Sequence, residues 1–187
     1  MIDCSCYNIR DEYKKLTLDE VKEIQRKSSL PYSVATFNLS GSLNIGMIIR
    51  TSVIFGARKF FIIGKKRYDK RSTVGAHNYI DIEYLSYDVD TICGQKKVLE
   101  KIFEEYCPVF VEQGGTDVKN YSFASMNTPP CIIMGNEGSG IPKEMMEMVN
   151  DRRVISISQL GGLRSLNVSA ATSIVLHKVS GDLINKK

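Results

Sequence analysis

Residues 131–142 read CIIMGNEGSGIP. The apolar run Cys131 to Met134 has the length and composition of a buried strand. It leads into a glycine-rich turn, Gly135-Asn-Glu-Gly-Ser-Gly140, and Ile141-Pro142 then opens a short helix, because proline fits a first helical turn. A buried strand passing through a turn into a helix is the repeating half of a βαβ unit. The reading of the whole chain depends on whether that unit recurs.

It recurs in both directions. Upstream, Tyr32 to Phe37 predicts a strand, and Asn38 to Ser42 a turn with Ser42 as N-cap of a helix through Phe55. Gly56 is suited to end that helix, and Lys59 to Ile63 forms the next strand. A basic loop, GKKRYDKRSTVGAHNY, leads to a strand near Ile82 to Leu85 and a helix from about Asp90 to Tyr106, despite Gly94. Val109 to Glu112 predicts a strand, with Gly114-Gly115 beginning a loop. Downstream, Val154 to Ile157 is a strand, and a last helix runs from about Leu166 to Ser180, with Gly181 placed to end it.

Strands alternating with helices at this spacing predict an α/β fold, a mostly parallel sheet with helices on both faces. Thr17-Leu-Asp-Glu20 is a capping box for a short helix that ends near Leu30-Pro31. The organisation is therefore an N-terminal arm and short helix over residues 1–31 and one globular unit over 32–187.

Composition narrows the class. With 187 residues, 43% hydrophobic and 25% charged, the chain can bury a full core and gives no argument for disorder. The net charge of +4 is compatible with an anionic partner but does not require one. Five scattered cysteines with no Cys-x-x-Cys, and two histidines in all, argue against a zinc site and for reduced thiols. The first residues, MIDCSCYNIRDEYKK, lack the apolar core of a secretory signal, and no apolar run reaches membrane-spanning length. These features predict a cytoplasmic protein with no metal and no membrane contact.

Ligands of open α/β sheets bind at the carboxyl edge of the strands. Three segments fall there: Asn38–Gly56, Ile133–Pro142 and Ser156–Ser169, the last reading SISQLGGLRSLNVS. Gly41 to Gly46 has phosphate-loop spacing, but Met47-Ile48 stands where Lys-Ser/Thr is needed. Gly135 to Gly140 reverses the dinucleotide-binding order and sets Glu137 where a pyrophosphate would approach. Both spacings argue against a phosphate loop, and hence against a nucleotide hydrolase. The 135–140 turn suits a neutral or cationic ligand better, although a tight turn with a solvated Glu137 would look the same.

Arg50 lies in a helix of largely apolar residues, where an unpaired buried charge is costly; the alternative is that it reaches out from the exposed face. Asn44 on the first turn has an ordinary structural reading too. Ser165 and Asn167 bracket Leu166 where a helix begins. Both favour helix starts, but two cap formers beside Arg164 exceed what one start requires.

Taken together, the segments resemble the motifs of one family, the SpoU or TrmH-like branch of the SPOUT RNA methyltransferases. The first is Asn44-Ile-Gly-Met-Ile-Ile-Arg50-Thr with Phe55-Gly56, the second Ile133 to Pro142, the third Ile155-Ser-Ile157 through Ser165-Leu-Asn167-Val-Ser169. The resemblance spans about residues 32–180. It implies S-adenosylmethionine as cofactor, methyl transfer to a ribose 2′-hydroxyl of RNA, a homodimer, and a C-terminal deep trefoil knot.

By position, Met134, Gly135, Asn136, Gly138, Ile157 and Leu166 would hold the cofactor. Arg50, Asn44, Glu137, Ser165 and Asn167 would carry or support catalysis. The intact Leu163-Arg-Ser-Leu-Asn167 end resembles eukaryotic-type tRNA guanosine 2′-O-methyltransferases and favours tRNA over rRNA. Ser158-Gln159 departs from the family's usual Pro-Met, which should loosen the loop where it leaves the strand. Lys65, Lys66, Arg67, Lys70 and Arg71 are the expected RNA-phosphate contacts, their alternative being a solvated loop. The competing functions are a base-modifying methyltransferase and a knotted RNA-binding module without activity.

Overall fold

The computed structural model describes residues 8–37, 42–64, 67–136, 138–149 and 153–186. Its centre is a sheet of six strands: β1 (Leu30–Phe37), β2 (Ala57–Ile63), β3 (Asp81–Leu85), β4 (Cys107–Asp117), β5 (Pro130–Met134) and β6 (Arg153–Ser156). They lie in the order β3-β2-β1-β5-β4-β6, and every neighbouring pair is parallel. Among the described residues, five α-helices accompany them: α1 (Leu18–Ser28), α2 (Ser42–Ile54), α3 (Ile92–Phe103), α4 (Lys143–Glu147) and α5 (Val168–Ile184).

Alternation along the buried strands divides the core in two. Ile132 and Met134 of β5 face one layer with Ile45, Ile48 and Ile49 of α2 and Val175, Leu176 and Val179 of α5. Cys131 and Ile133 face the other, with Val98, Leu99 and Ile102 of α3 and Met145 of α4. Successive residues of a strand point to opposite faces, so a run apolar at every position is what a sheet covered on both sides demands. Among the described residues, no helix is long and apolar enough to cross a membrane.

Local chemistry fixes the ends of the elements. Thr17 caps α1 with the expected reciprocal bonds: its hydroxyl accepts the Glu20 N–H, and the Glu20 carboxylate accepts the Thr17 N–H at 2.8 Å. Gly56 has φ +74°, the left-handed conformation that ends α2. Ser42 is the first helical residue of α2 rather than its cap, and the turn preceding it, at 38–41, lies outside the described residues. The 90–106 helix is shorter than the sequence suggests, because Thr91 caps it by accepting the Gly94 N–H at 3.1 Å. Pro142 is the N-cap of α4, one position ahead of its expected place.

Two boundaries differ more. Gly181 does not end α5. The helix continues to Ile184 because Leu183 is buried and Asp182 holds Lys178 at 2.7 Å one turn back while accepting the Phe123 N–H at 3.0 Å. Nor does Gly114-Gly115 begin a loop. β4 pairs with β6 at Val111↔Ile155, leaves the ladder, and pairs again at Thr116↔Ile155 and Asp117↔Ser156. Residues 112–115 are thus an excursion within one strand.

Gly94 lies under the turn that leads into α3. An added Cβ there would stand 1.8 Å from the Asp88 carbonyl oxygen, a backbone atom that cannot swing away. Gly94→Ala is therefore expected to destabilise the protein by about 1–3 kcal/mol, despite alanine's helix preference of about 1 kcal/mol. A lower urea midpoint at unchanged m-value would register the loss; an unchanged or higher midpoint would contradict it.

Candidate functional site

The carboxyl edges of β4, β5 and β6 open into one cavity of about 810 Å³, within the usual range for a small-molecule site. Its walls come from the end of β4 (Val111, Glu112, Gln113), the turn after β5, and the segment between β6 and α5. Met134, Gly135, Asn136, Gly138, Ile157 and Leu166, the six residues expected to hold a cofactor, all line it. Two of the sequence segments singled out for chemistry therefore meet at one place.

The turn after β5 is closed by its own backbone. The Asn136 N–H donates to the Gly140 carbonyl at 3.0 Å, and the Gly140 N–H returns to the Asn136 carbonyl at 2.9 Å. This closure presses Gly135 against Gly140, so that a Cβ on Gly135 would lie 2.7 Å from the Gly140 carbonyl carbon. Gly140 itself has φ +66°, costly for any other residue. Gly138 differs, since a Cβ there would meet only the Asn136 amide oxygen, at 3.5 Å. Glu137, expected in a supporting role, lies outside the described residues.

On the third wall, residues 158–167 are exposed to solvent. Ser165, Leu166 and Asn167 line the cavity, with Asn167 as N-cap of α5. The Asn167 Oδ1 accepts the Ser169 N–H at 2.9 Å, and its Nδ2 donates to Asn44 Oδ1 of α2 at 3.3 Å. One side chain thus serves as the helix cap and joins the first motif to the third. Ser158, expected to loosen this segment, tethers it instead: its hydroxyl donates to the Asp117 carboxylate. That bond, followed by the Lys119 amide, holds the Asp117 carboxyl below its ordinary pKa.

Arg50 follows the second of its two readings. It is exposed on α2 rather than buried among apolar neighbours, and it does not line the cavity of its own chain. Six residues at 100° each carry it to a different face of the helix from Asn44. Of the basic cluster, Lys65 and Lys66 lie outside the described residues, while Arg67, Lys70 and Arg71 are exposed. Arg71 is paired with Asp69 at 2.8 Å. The 3₁₀ turn Lys70–Thr73 packs on α2 at Gly46, where a Cβ would fall 1.8 Å from Ser72 Oγ. That glycine sets the basic loop beside the helix carrying Asn44, which is a packing role and not a phosphate-binding one.

Glu112, Gln113 and Lys143 also line the cavity, and no sequence motif marks them. The one signal for Glu112 and Gln113 is their place at a carboxyl edge, directly after the apolar run Val109 to Val111.

Comparison with known proteins agrees with this geometry. The family model described as the SpoU rRNA Methylase family matches residues 31–177. The tRNA (guanosine(18)-2′-O)-methyltransferase of Aquifex aeolicus is 25% identical over 165 residues, covering 86% of this chain and 74% of that protein. The chain spans between 41% and 66% of the length of the other relatives it matches.

Among solved structures, the A. aeolicus TrmH/SpoU tRNA modifying enzyme superposes with a TM-score of 0.73 at 24% identity, covering 90% of this chain and 83% of that one. The SpoU methyltransferase AviRb from Streptomyces viridochromogenes, in complex with the cofactor AdoMet, gives 0.66 at 21% identity, with coverage of 90% and 65%. These structures share the fold. The family match extends over well more than half of the residues and includes all three motifs that build and flank the cavity, and the chain belongs to the SpoU rRNA methylase family.

Proposed function

We propose that this protein transfers the methyl group of S-adenosylmethionine to a ribose 2′-hydroxyl of a structured RNA, tRNA in preference to rRNA. The observation that carries the reading is the convergence of the second and third motifs on one cavity, tied to the first by the Asn167–Asn44 hydrogen bond. The named relatives include a tRNA ribose methyltransferase, and a related fold holds AdoMet.

The bound cofactor supplies an electrophilic methyl group on a sulfonium. The O2′–CH3 bond forms as the S–CH3 bond breaks, and the hydroxyl proton leaves to solvent or a nearby base. The protein's task is to align the attack and stabilise the forming alkoxide. The glycine turn at 135–140 offers backbone groups to the adenosyl moiety, and the Glu112 carboxylate in the wall tolerates a cation. Asn167, fixed as a cap, holds the side of the cavity facing Asn44. Arg50, a poor base because a guanidinium holds its proton firmly, acts as alkoxide stabiliser and phosphate grip. Ser165 hydrogen-bonds near the reacting ribose, and Glu137 supports Arg50 or a loop.

Because Arg50 does not line its own cavity, it serves the cavity of a second copy. Support for a homodimer comes from the outer face of α2. Leu43 (58% exposed), Met47 (48%) and Ile54 (67%) follow one another at helical spacing, with Arg50 between them. Ile174 of the adjoining α5 is 43% exposed. Met47→Glu is expected to convert the dimer to a folded monomer in light scattering and to remove methyl transfer. A variant that stays dimeric would take α2 out of the interface.

The methyltransferase unit takes in β1 from Leu30 onward, two residues ahead of the expected boundary at 32, with the preceding residues as an arm, and the protein works in the cytoplasm. Its C-terminal part forms the trefoil knot. The strand order supports this, since the chain leaves β6 at the sheet edge beyond β4 yet returns to pack α5 against α2. RNA phosphates meet the basic loop. Neutralising Arg67, Lys70 and Arg71 should lower RNA affinity and flatten its salt dependence by about 0.7–0.9 for each phosphate no longer neutralised. Cofactor affinity should not change, and an unaltered salt slope would remove the loop from the interface. The overall reading is tested by incubating the protein with labelled S-adenosylmethionine and total tRNA or rRNA. Label in tRNA supports it, and label in neither overturns it.

A further inference from the structure

The excursion at 112–115 is a built feature. Gly114 has φ +81°, in the left-handed region. A Cβ on Gly115 would lie 2.5 Å from the Val154 carbonyl group of β6, backbone against backbone. Two glycines thus let β4 leave and rejoin its ladder within four residues, while Ile155 pairs on both sides of the gap. What the excursion presents is Glu112 and Gln113, consecutive side chains that reach two different loops.

Glu112 reaches the turn after β5. Its Oε2 accepts the Ile141 N–H at 3.3 Å and packs against Gly140, where an added Cβ would fall 2.6 Å from the same oxygen. Its Oε1 accepts the Gln113 N–H at 2.9 Å, which fixes the carboxylate against its own strand. Gln113 reaches the segment between β6 and α5, its Nε2 donating to the Arg164 carbonyl at 2.7 Å. Arg164 immediately precedes Ser165 and Leu166, so this bond holds the wall that carries the expected reacting-centre residues. Both side chains line the cavity themselves.

We propose that Glu112 and Gln113 are positioning residues that clamp the two loops of the cofactor cavity from one bulged strand, Glu112 holding the 135–141 turn and Gln113 holding the 159–167 segment. This rests on the reading of the cavity as the S-adenosylmethionine site. These bonds add to the backbone closure of the glycine turn and to the Ser158–Asp117 tether of the third wall. Residues 158–167 are all exposed, and Gly161 and Gly162 have nothing within 4 Å of an added Cβ. Preorganising these loops cuts the ordering cost of binding, and that cost would otherwise be taken from affinity.

The test uses the full chain, calorimetry with S-adenosylmethionine, and hydrogen exchange of the unliganded protein. Glu112→Ala and Gln113→Ala should each weaken cofactor affinity by about 10-fold, the scale of one lost hydrogen bond plus the reordering it spares. RNA affinity and melting temperature should stay close to wild type. Exchange separates the two clamps: Glu112→Ala should speed amides in 135–141 only, and Gln113→Ala those in 159–167 only. Glu112→Gln keeps one carbonyl acceptor and should recover part of the affinity and of the protection at Ile141. If wild type binds the cofactor and the variants match it in affinity and exchange, the clamp is refuted and the site stands. If the two variants speed exchange in both loops alike, the division of labour is refuted. If wild type itself binds no S-adenosylmethionine, the reading of the cavity fails, while local exchange changes would still show the clamp.

Discussion

Replacing Arg50 with alanine is expected to lower methyl transfer to a good tRNA substrate by about 10²–10³-fold, the scale of losing one group that stabilises a forming oxyanion. Affinity for S-adenosylmethionine should be almost unchanged, because the contacts proposed for Arg50 are with the ribose oxygen and phosphate of the RNA and not with the cofactor. Arg50→Lys keeps the charge but loses the planar fork, so it should recover only a small part of the rate. Folding should be unaffected, since the side chain is exposed on α2. The proposed dimer adds a sharper consequence. Mixing Arg50→Ala chains with chains disabled in the cavity should restore partial activity, because a heterodimer pairs one intact arginine with one intact cavity. Single-turnover assays on the mixture measure this. Near-normal activity of Arg50→Ala alone would remove the residue from catalysis, and absence of complementation would place its action within one chain.

Gly135→Ala is expected to weaken S-adenosylmethionine binding by about 10–100-fold, in proportion to an overpacking cost of about 1–3 kcal/mol. The turn cannot yield easily. The new Cβ would press on the Gly140 carbonyl carbon at 2.7 Å and on its Cα at 3.0 Å, while two backbone hydrogen bonds hold Asn136 and Gly140 together. Relief requires opening that closure, which moves the backbone groups offered to the cofactor. Gly138→Ala is the control. It adds the same methyl to the same turn but meets only the Asn136 side chain at 3.5 Å, and its affinity should fall far less. Equal losses at both positions in calorimetry would indicate a general loss of glycine flexibility rather than this steric clash.

The parallel sheet is legible in the sequence because its central strands carry continuous apolar runs, such as Phe60 to Ile63 and Cys131 to Met134, and its helices are marked by caps such as Thr17 and Gly56. Element ends are less legible wherever a distant contact decides them. Gly181 looks like a terminator, yet burial of Leu183 and the bonds of Asp182 to Lys178 and Phe123 carry α5 past it. Gly114-Gly115 reads as a loop, but the second pairing with β6 is a long-range fact that local composition does not contain. For the same reason the roles of Glu112 and Gln113 emerge only in the folded chain.

The cavity wall is legible through the family motifs, and its glycines have identifiable steric reasons at 135 and 140. The surroundings of Arg50 are not. Its apolar neighbours suggest burial, but Leu43, Met47 and Ile54 are themselves exposed, so an apolar helix sequence does not mean burial within one chain. Ser158, where the family motif has proline, keeps its loop anchored through Asp117, a residue 41 positions away.

The decisive measurement is mass spectrometry of tRNA methylated by the purified protein, digested to nucleosides and mapped to position. A 2′-O-methylated nucleoside at a defined site, lost in Arg50→Ala, is the predicted result. A methyl group on the base, or no methylated nucleoside from a protein that binds both S-adenosylmethionine and RNA, would contradict it.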